Sequence, residues 1–292
     1  MRVTQLESSR NLMSDLEKLN KNFAEANRRL SSGKKINDFA DSPVGSADLV
    51  DIAKQSLRLD TYRTNINTAS YRLKSTESVL NEANNTLTSI YVLGEQGASE
   101  PLSSEGLKAI GLQVRELRDQ MIAIGNTKVD GCYIFAGSKV DTVPFELSGG
   151  SVGYHGNNIV NSIPVADGME VVQGVSGDNT FSAVFEMIDD LVAAFDADDV
   201  AAIQTALGKF SKAMNELGQA RGRVGTSLSM AEKLSATLDS RSIILTEQRS
   251  NIEDANELET IVLIQQLQGA INAALSSGGA ILQQSTLFDI VG

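Results

Sequence analysis

Both ends of the chain carry apolar seams at helical spacing without a compact domain beside them, and this limits what can fold. Leu12, Leu16, Leu19, Phe23, Ala26 and Leu30 fall four and three residues apart, the spacing that keeps one apolar stripe on a supercoiled helix. At the other end Leu267, Ile271, Ala274 and Ile281 continue a helical pattern almost to Gly292. Two such helices alone bury little and stay marginal until other surfaces cover them. The spacing therefore predicts assembly, with these residues at the interface.

The segment between the ends predicts a bundle. Thr4 with Glu7 reads as a capping box opening the first helix, and Gly33 after Ser32 as its left-handed end. Ser42 and Pro43 read as an N-cap followed by proline at the first helical position. From there Leu59, Tyr62, Ile66, Ala69, Leu73, Thr76, Leu80, Ala83, Leu87 and Ile90 predict one helix from about Pro43 to Leu93, roughly 75 Å long. Gly94, Gly97, Ser99 and Pro101 then mark a turn, and Leu107, Ile110, Val114, Leu117, Met121 and Ile124 predict a helix returning antiparallel.

After Gly131 the pattern changes to short apolar runs at 132–135, 152–154, 163–165 and 171–172, separated by Gly, Asn, Asp and Ser, which predict a small antiparallel β element. Helical periodicity resumes near Phe181 and runs through Val200, Ile203, Leu207, Phe210, Met214 and Leu217. It continues past the Gly-rich interval 218–225, where a kink is expected, towards Ile252, and a last helix spans about Asn256 to Ser276. The expected fold is mainly α, a long antiparallel helical bundle or coiled-coil rod with a small inserted antiparallel β element. Its parts are paired terminal helices at 1–40 and 256–292, disordered in the monomer; a helical rod at 41–131 and 181–255; and a β-rich excursion at 132–180.

Composition narrows the chemistry. Trp is absent and aromatics are 5%, so packing rests on Leu, Ile, Val and Ala, a mix suited to close helix contact more than to a deep ligand pocket. A net charge of -12 argues against nucleic acid or an anionic membrane as partner. Against that background Arg28, Arg29, Lys34 and Lys35 form a basic knot, expected to pair with carboxylates of a neighbouring subunit. No apolar stretch approaches the ~20 residues of a membrane span, and the amino end lacks the apolar block of a cleaved export signal. Physics alone would place the chain in the cytoplasm. His155 is the only histidine and has no soft ligands near it, so no metal or other cofactor is expected. The acidic cluster around Asp196 departs from calcium-loop spacing and reads as the N-cap and solvated face of a helix beginning near Val200. Cys132 reads as a small, partly buried hydrophobe. With no catalytic constellation, the chain is not expected to be an enzyme.

The string Arg29-Leu30-Ser31-Ser32-Gly33-Lys34-Lys35-Ile36-Asn37 resembles the amino-terminal signature of the bacterial flagellin superfamily. The likeness extends through Asn65-Ile66 and Thr76-Glu77-Ser78 to Ile252-Glu253-Asp254-Ala255 and the terminal helix. The start Met1-Arg2-Val3-Thr4, the string Tyr133-Ile134-Phe135-Ala136-Gly137-Ser138 and the ending Ser285-Thr286-Leu287-Phe288-Asp289-Ile290 resemble the hook–filament junction members of that superfamily. The resemblance implies an extracellular axial protein of the flagellum, passed through the flagellar type III export apparatus without a cleaved signal peptide and guarded by an export chaperone. It implies a ring of copies set between hook-associated protein 1 and the flagellin filament, with the terminal helices innermost. A filament-forming flagellin and a non-flagellar helical interaction or adhesin module are the alternatives.

Overall fold

The computed structural model of the chain describes residues 2–99 and 102–283, with the side chains of 2–6, 8 and 281–283 outside that description. Its helices are α1 (Arg2–Ser32), α2 (Pro43–Ser99), α3 (Ser104–Gly125), α4 (Asp178–Asp196), α5 (Val200–Gly208), α6 (Phe210–Glu253) and α7 (Glu257–Gln283). The chain is mainly α, as the periodicity predicts. It divides into a terminal unit, Met1–Leu57 with Arg241–Gly292, and a central unit, Arg58–Ser240. Both divisions fall inside α2 and α6, whereas the expected boundaries at 40/41 and 255/256 lie at helix ends.

In the central unit α2 carries an unbroken heptad seam. Ile66, Leu73, Leu80 and Leu87 alternate with Ala69, Thr76, Ala83 and Ile90, and all are buried. The Thr76 hydroxyl donates to the Arg72 carbonyl at 2.8 Å, so its polar atom enters the seam satisfied. α6 supplies Ala213, Leu217, Ala220, Val224, Ala231 and Leu238, a mix of small and large side chains that permits close approach. The two helices run antiparallel: Tyr91 stacks 4.1 Å from Phe210, and Arg63 pairs with Asp239. α6 continues unbroken through Gly218, Gly222 and Gly225.

α2 also passes the expected turn and ends at Ser99. A Cβ added at Gly94 would stand 2.5 Å from Leu207 Cδ2, and one at Gly97 2.5 Å from Phe195 Cε1. These glycines are contact points for α4 and α5, and the packing there outweighs their helix-breaking tendency. Pro101 lies outside the described residues. Thr4 sits inside α1, which begins at Arg2, so it does not open the helix; its side chain also lies outside the description. Ser42 does cap α2, its hydroxyl accepting the Gly45 N–H at 3.1 Å.

The β element is three separate antiparallel hairpins: β1 (Lys128–Val129) with β2 (Cys132–Tyr133), β3 (Phe145–Ser148) with β4 (Ser151–Tyr154), and β5 (Ser162–Ala166) with β6 (Met169–Val172). Asp130-Gly131 and Gly149-Gly150 turn the first two with positive φ at both residues, as a tight hairpin turn of this hand demands. These hairpins share the helical core. Phe135 meets Phe181 edge-on at 4.9 Å, and Phe145 lies 4.9 Å from Phe185 and 5.2 Å from Tyr154. The Phe135 carbonyl accepts the Gly177 N–H at 2.9 Å, which fastens the string Tyr133–Ser138 to the start of α4.

The acidic cluster is partly solvated and partly structural. Asp199 caps α5 by accepting the N–H groups of Ala201 and Ala202, both at 3.0 Å. Asp189 instead lies half-buried, accepts the Val152 N–H at 2.8 Å and ties β4 to α4. Burial holds its carboxyl above the usual range.

The glycine contacts lead to opposite outcomes in urea unfolding followed by circular dichroism. Gly97→Val forces its side chain into Phe195 and is expected to cost about 1–3 kcal/mol. Gly218→Ala, at an open position on α6, is expected to gain up to about 1 kcal/mol.

Candidate assembly interface

α1 and α7 pack antiparallel in the terminal unit: Gly278 lies against Leu12, while Ala26 shares a groove with Leu263 and Leu267. The predicted seam lies along this contact. Leu12, Leu16, Leu19, Phe23, Ile271 and Ala274 are half-buried and Leu267 is buried. The side chain of Ile281 lies outside the described residues.

Among the described residues of this unit only Ala26, Ile52 and Leu267 are buried hydrophobics. Large apolar side chains face outward on every helical segment: Met13 on α1 (72% exposed), Val44 on α2 (75%), Ile243 on α6 (69%) and Leu258 on α7 (77%). Ile261, Val262, Leu263 and Leu275 extend the exposed surface of α7. This outer face lies beyond the residues of the predicted seam. Its signal was the consecutive run Ile261-Val262-Leu263-Ile264, since a helix that is apolar around most of its circumference needs cover on more than one side. Covering such side chains is worth roughly 1–2 kcal/mol each.

Where α1 ends, Gly33 takes a φ of +70° and turns the connector back on the end of α6. The Lys35 N–H donates to the Glu253 carbonyl and the Ala255 N–H to the Gly33 carbonyl, both at 2.8 Å, forming an isolated antiparallel bridge between Lys34 and Asp254. Around it the Lys34 ammonium bonds the Glu253 carboxylate, Arg249 Nε donates to the same carboxylate at 2.7 Å, and Lys35 Nζ donates to the Asn251 carbonyl at 2.8 Å. Hydrogen bonds from Arg249 and then Lys34 hold Glu253 below the usual carboxylate range. Asp41 organises the other side of the connector. It accepts the N–H groups of Asn37 and Asp38 at 2.9 and 3.0 Å and the Arg28 guanidinium at 2.8 Å. The Asn37 N–H is the leading cause of its lowered pKa. Arg29 pairs with Glu25 one turn back at 2.6 Å.

All four cations of the basic knot thus bind acceptors of their own chain. The fold-back of the connector brings Asp41 to Arg28, Glu253 to Lys34 and Asn251 to Lys35, whereas Arg29 meets Glu25 on α1 itself. The strings Arg29–Asn37 and Ile252–Ala255, read separately in the sequence, are the two halves of one clasp.

Residues 3–140 match the family model for the bacterial flagellin N-terminal helical region. Flagellar hook-associated protein 3 of Escherichia coli (strain K12) is 24% identical over 274 residues, which cover 84% of this chain and 86% of the relative. The protein of the same name from Salmonella typhimurium is 23% identical over 290 residues, 90% of this chain and 91% of the relative. In fold, the chain is similar to the flagellar junction protein FlgL from Legionella pneumophila, with a TM-score of 0.60 at 16% identity over 70% of this chain and 99% of that one. The chain is thus similar to flagellar hook-associated protein 3 along most of its length, and its residues 3–140 to the bacterial flagellin N-terminal helical region.

Proposed function

We propose that the chain is a structural axial component of the bacterial flagellum that forms the junction ring between hook-associated protein 1 and the flagellin filament. The observation that carries this reading is the imbalance of the terminal unit, where three buried hydrophobics stand against apolar side chains exposed on every helical segment. Such a unit gains its core when neighbours arrive, so its folding is coupled to assembly. Leu12, Leu16, Leu19 and Phe23 with Leu267, Ile271 and Ala274 hold the helix pair together, and the outer face of α7 meets the neighbour. The clasp fixes where α1 and α7 begin their pairing, and Arg28, Arg29, Lys34 and Lys35 act through it. Before assembly an export chaperone covers the same apolar faces. A chain with a single cysteine passes the type III export apparatus unfolded and refolds outside without an oxidative step.

Purified chain added to isolated hooks that carry hook-associated protein 1 is expected to bind at their distal ends and stop, as seen by immunogold electron microscopy. Growth of long filaments from seeds would identify a filament flagellin instead. Leu258→Asp with Val262→Asp is expected to cut binding at hook ends at least about ten-fold while leaving the melting of the central unit unchanged.

Limited proteolysis of the dilute monomer is expected to remove segments within 1–40 and 256–292 first and leave a resistant centre. Protection of both termini would favour a monomeric interaction module.

The clasp carries a pH dependence. The pKa of Glu253 is depressed in the folded chain, so its stabilisation is present above the ordinary value of 4.5 and fades as pH falls through the lower folded value. Amide-exchange protection at Lys35 and Ala255, corrected for intrinsic rates, is expected to drop over that window. Glu253→Gln should remove the dependence and show low protection at neutral pH.

A further inference from the structure

The central unit holds an open groove of about 680 Å³ beside α6, lined by Met169 of β6 and by Gly222, Gly225, Met230, Lys233 and Leu234. Nothing lies within 4 Å of a Cβ added at Gly222 or Gly225, so this part of α6 presents bare backbone to an incoming surface. Met169 and Met230 are 41% and 36% exposed and give the groove adaptable apolar walls. Lys233 lies on its rim, and Arg223 shares a helix face with Thr226, Met230 and Lys233. Neither cation has an ion-pair partner among the described residues, in a chain whose net charge is -12.

The exposed face of α3 is the complement. Glu105, Ala109, Leu112 and Glu116 follow one another at four, three and four residues and therefore share a stripe. Leu112 is 55% exposed at its middle, Ala109 keeps the stripe low, and neither Glu105 nor Glu116 has an ion-pair partner among the described residues. The charges match in spacing. Glu105 and Glu116 are separated by about 16 Å of helix rise, and Arg223 and Lys233 by about 15 Å. With one carboxylate placed at each cation, Leu112 falls opposite Ser229 and Met230 if the helices run parallel and opposite Thr226 and Ser227 if they run antiparallel, beside groove-lining residues in either case.

We propose that the groove beside α6 receives the Glu105–Glu116 face of α3 from a second copy of the chain. Groove and ridge are different surfaces of one molecule, so the contact is head-to-tail and can repeat around a ring. The inference rests on the self-assembly proposed above and names the lateral contact within it.

The test uses preparations of the full chain that all carry Cys132→Ser, one with Leu112→Cys and the other with a groove cysteine, Ser229→Cys for a parallel contact or Thr226→Cys for an antiparallel one. Mixed on hook ends and mildly oxidised, they should form a disulfide dimer between Leu112→Cys and one of the two groove cysteines, read by mass spectrometry, only in the assembled fraction and only when both partners are present. Lys233→Glu should lower incorporation about ten-fold, and adding Glu105→Lys or Glu116→Lys in the same chain should restore it, the restoring partner giving the direction of the helices. Assembly at hook ends without the disulfide, together with normal incorporation of Lys233→Glu, would overturn the groove contact and leave the junction role intact. Failure of the unsubstituted chain to bind hook ends would overturn the junction role and this contact with it.

Discussion

A pair of helices has one shared seam and cannot enclose the side chains on its outer surfaces. That constraint separates the two units. In the central unit the seam of α2 is covered from several directions by α6, by α4 and α5 at the glycine contacts, and by the hairpins, so Leu73, Leu80 and Leu87 lose all contact with water. In the terminal unit the seam from Leu12 to Phe23 meets α7 alone and remains half-buried. Similar periodicity in the two places therefore has opposite energetic standing. One seam is a finished core, and the other is a half-covered one that gains stability from any further surface laid against it.

The clasp between the connector and the end of α6 gives the exposed pair a defined start. Without it α1 and α7 could slide by whole turns along a seam made mostly of leucine and alanine, because such a seam specifies register weakly. The rung formed by Lys35 and Glu253 with Ala255 and Gly33 sets that register at one end. Lys34 and Arg249 then neutralise a carboxylate that would otherwise be buried alone. Polar groups thus carry the positional information that the apolar seam lacks.

How far the sequence disclosed this depended on whether a signal was local. Heptads from Ile66 to Ile90, the cap at Ser42 and the end of α1 at Gly33 are decided by neighbours within a turn or two, and each was legible. The hairpins were legible as a β region. Their pairing was encoded by Asp130-Gly131, Gly149-Gly150 and Asp167-Gly168, each a two-residue turn between strands. Gly94 and Gly97 misled because their role is set by Leu207 and Phe195, about a hundred residues away. The intrachain partners of Lys34 and Lys35 were hidden for the same reason. Glu253 and Asn251 lie more than two hundred residues along the chain, and no spacing rule connects them to Lys34 and Lys35.

The fate of the cations also bears on how copies of an acidic chain can meet. At physiological salt the repulsion between two molecules of charge -12 is screened within roughly 8 Å, so it does little to prevent approach and nothing to choose an orientation. Orientation is decided by charges that reach contact while still lacking partners. Arg28, Arg29, Lys34 and Lys35 are engaged inside the terminal unit, whose outward surface carries large apolar side chains on each helical segment. Among the described residues Arg223 and Lys233 of the central unit have no ion-pair partner, nor have Glu105 and Glu116 on α3.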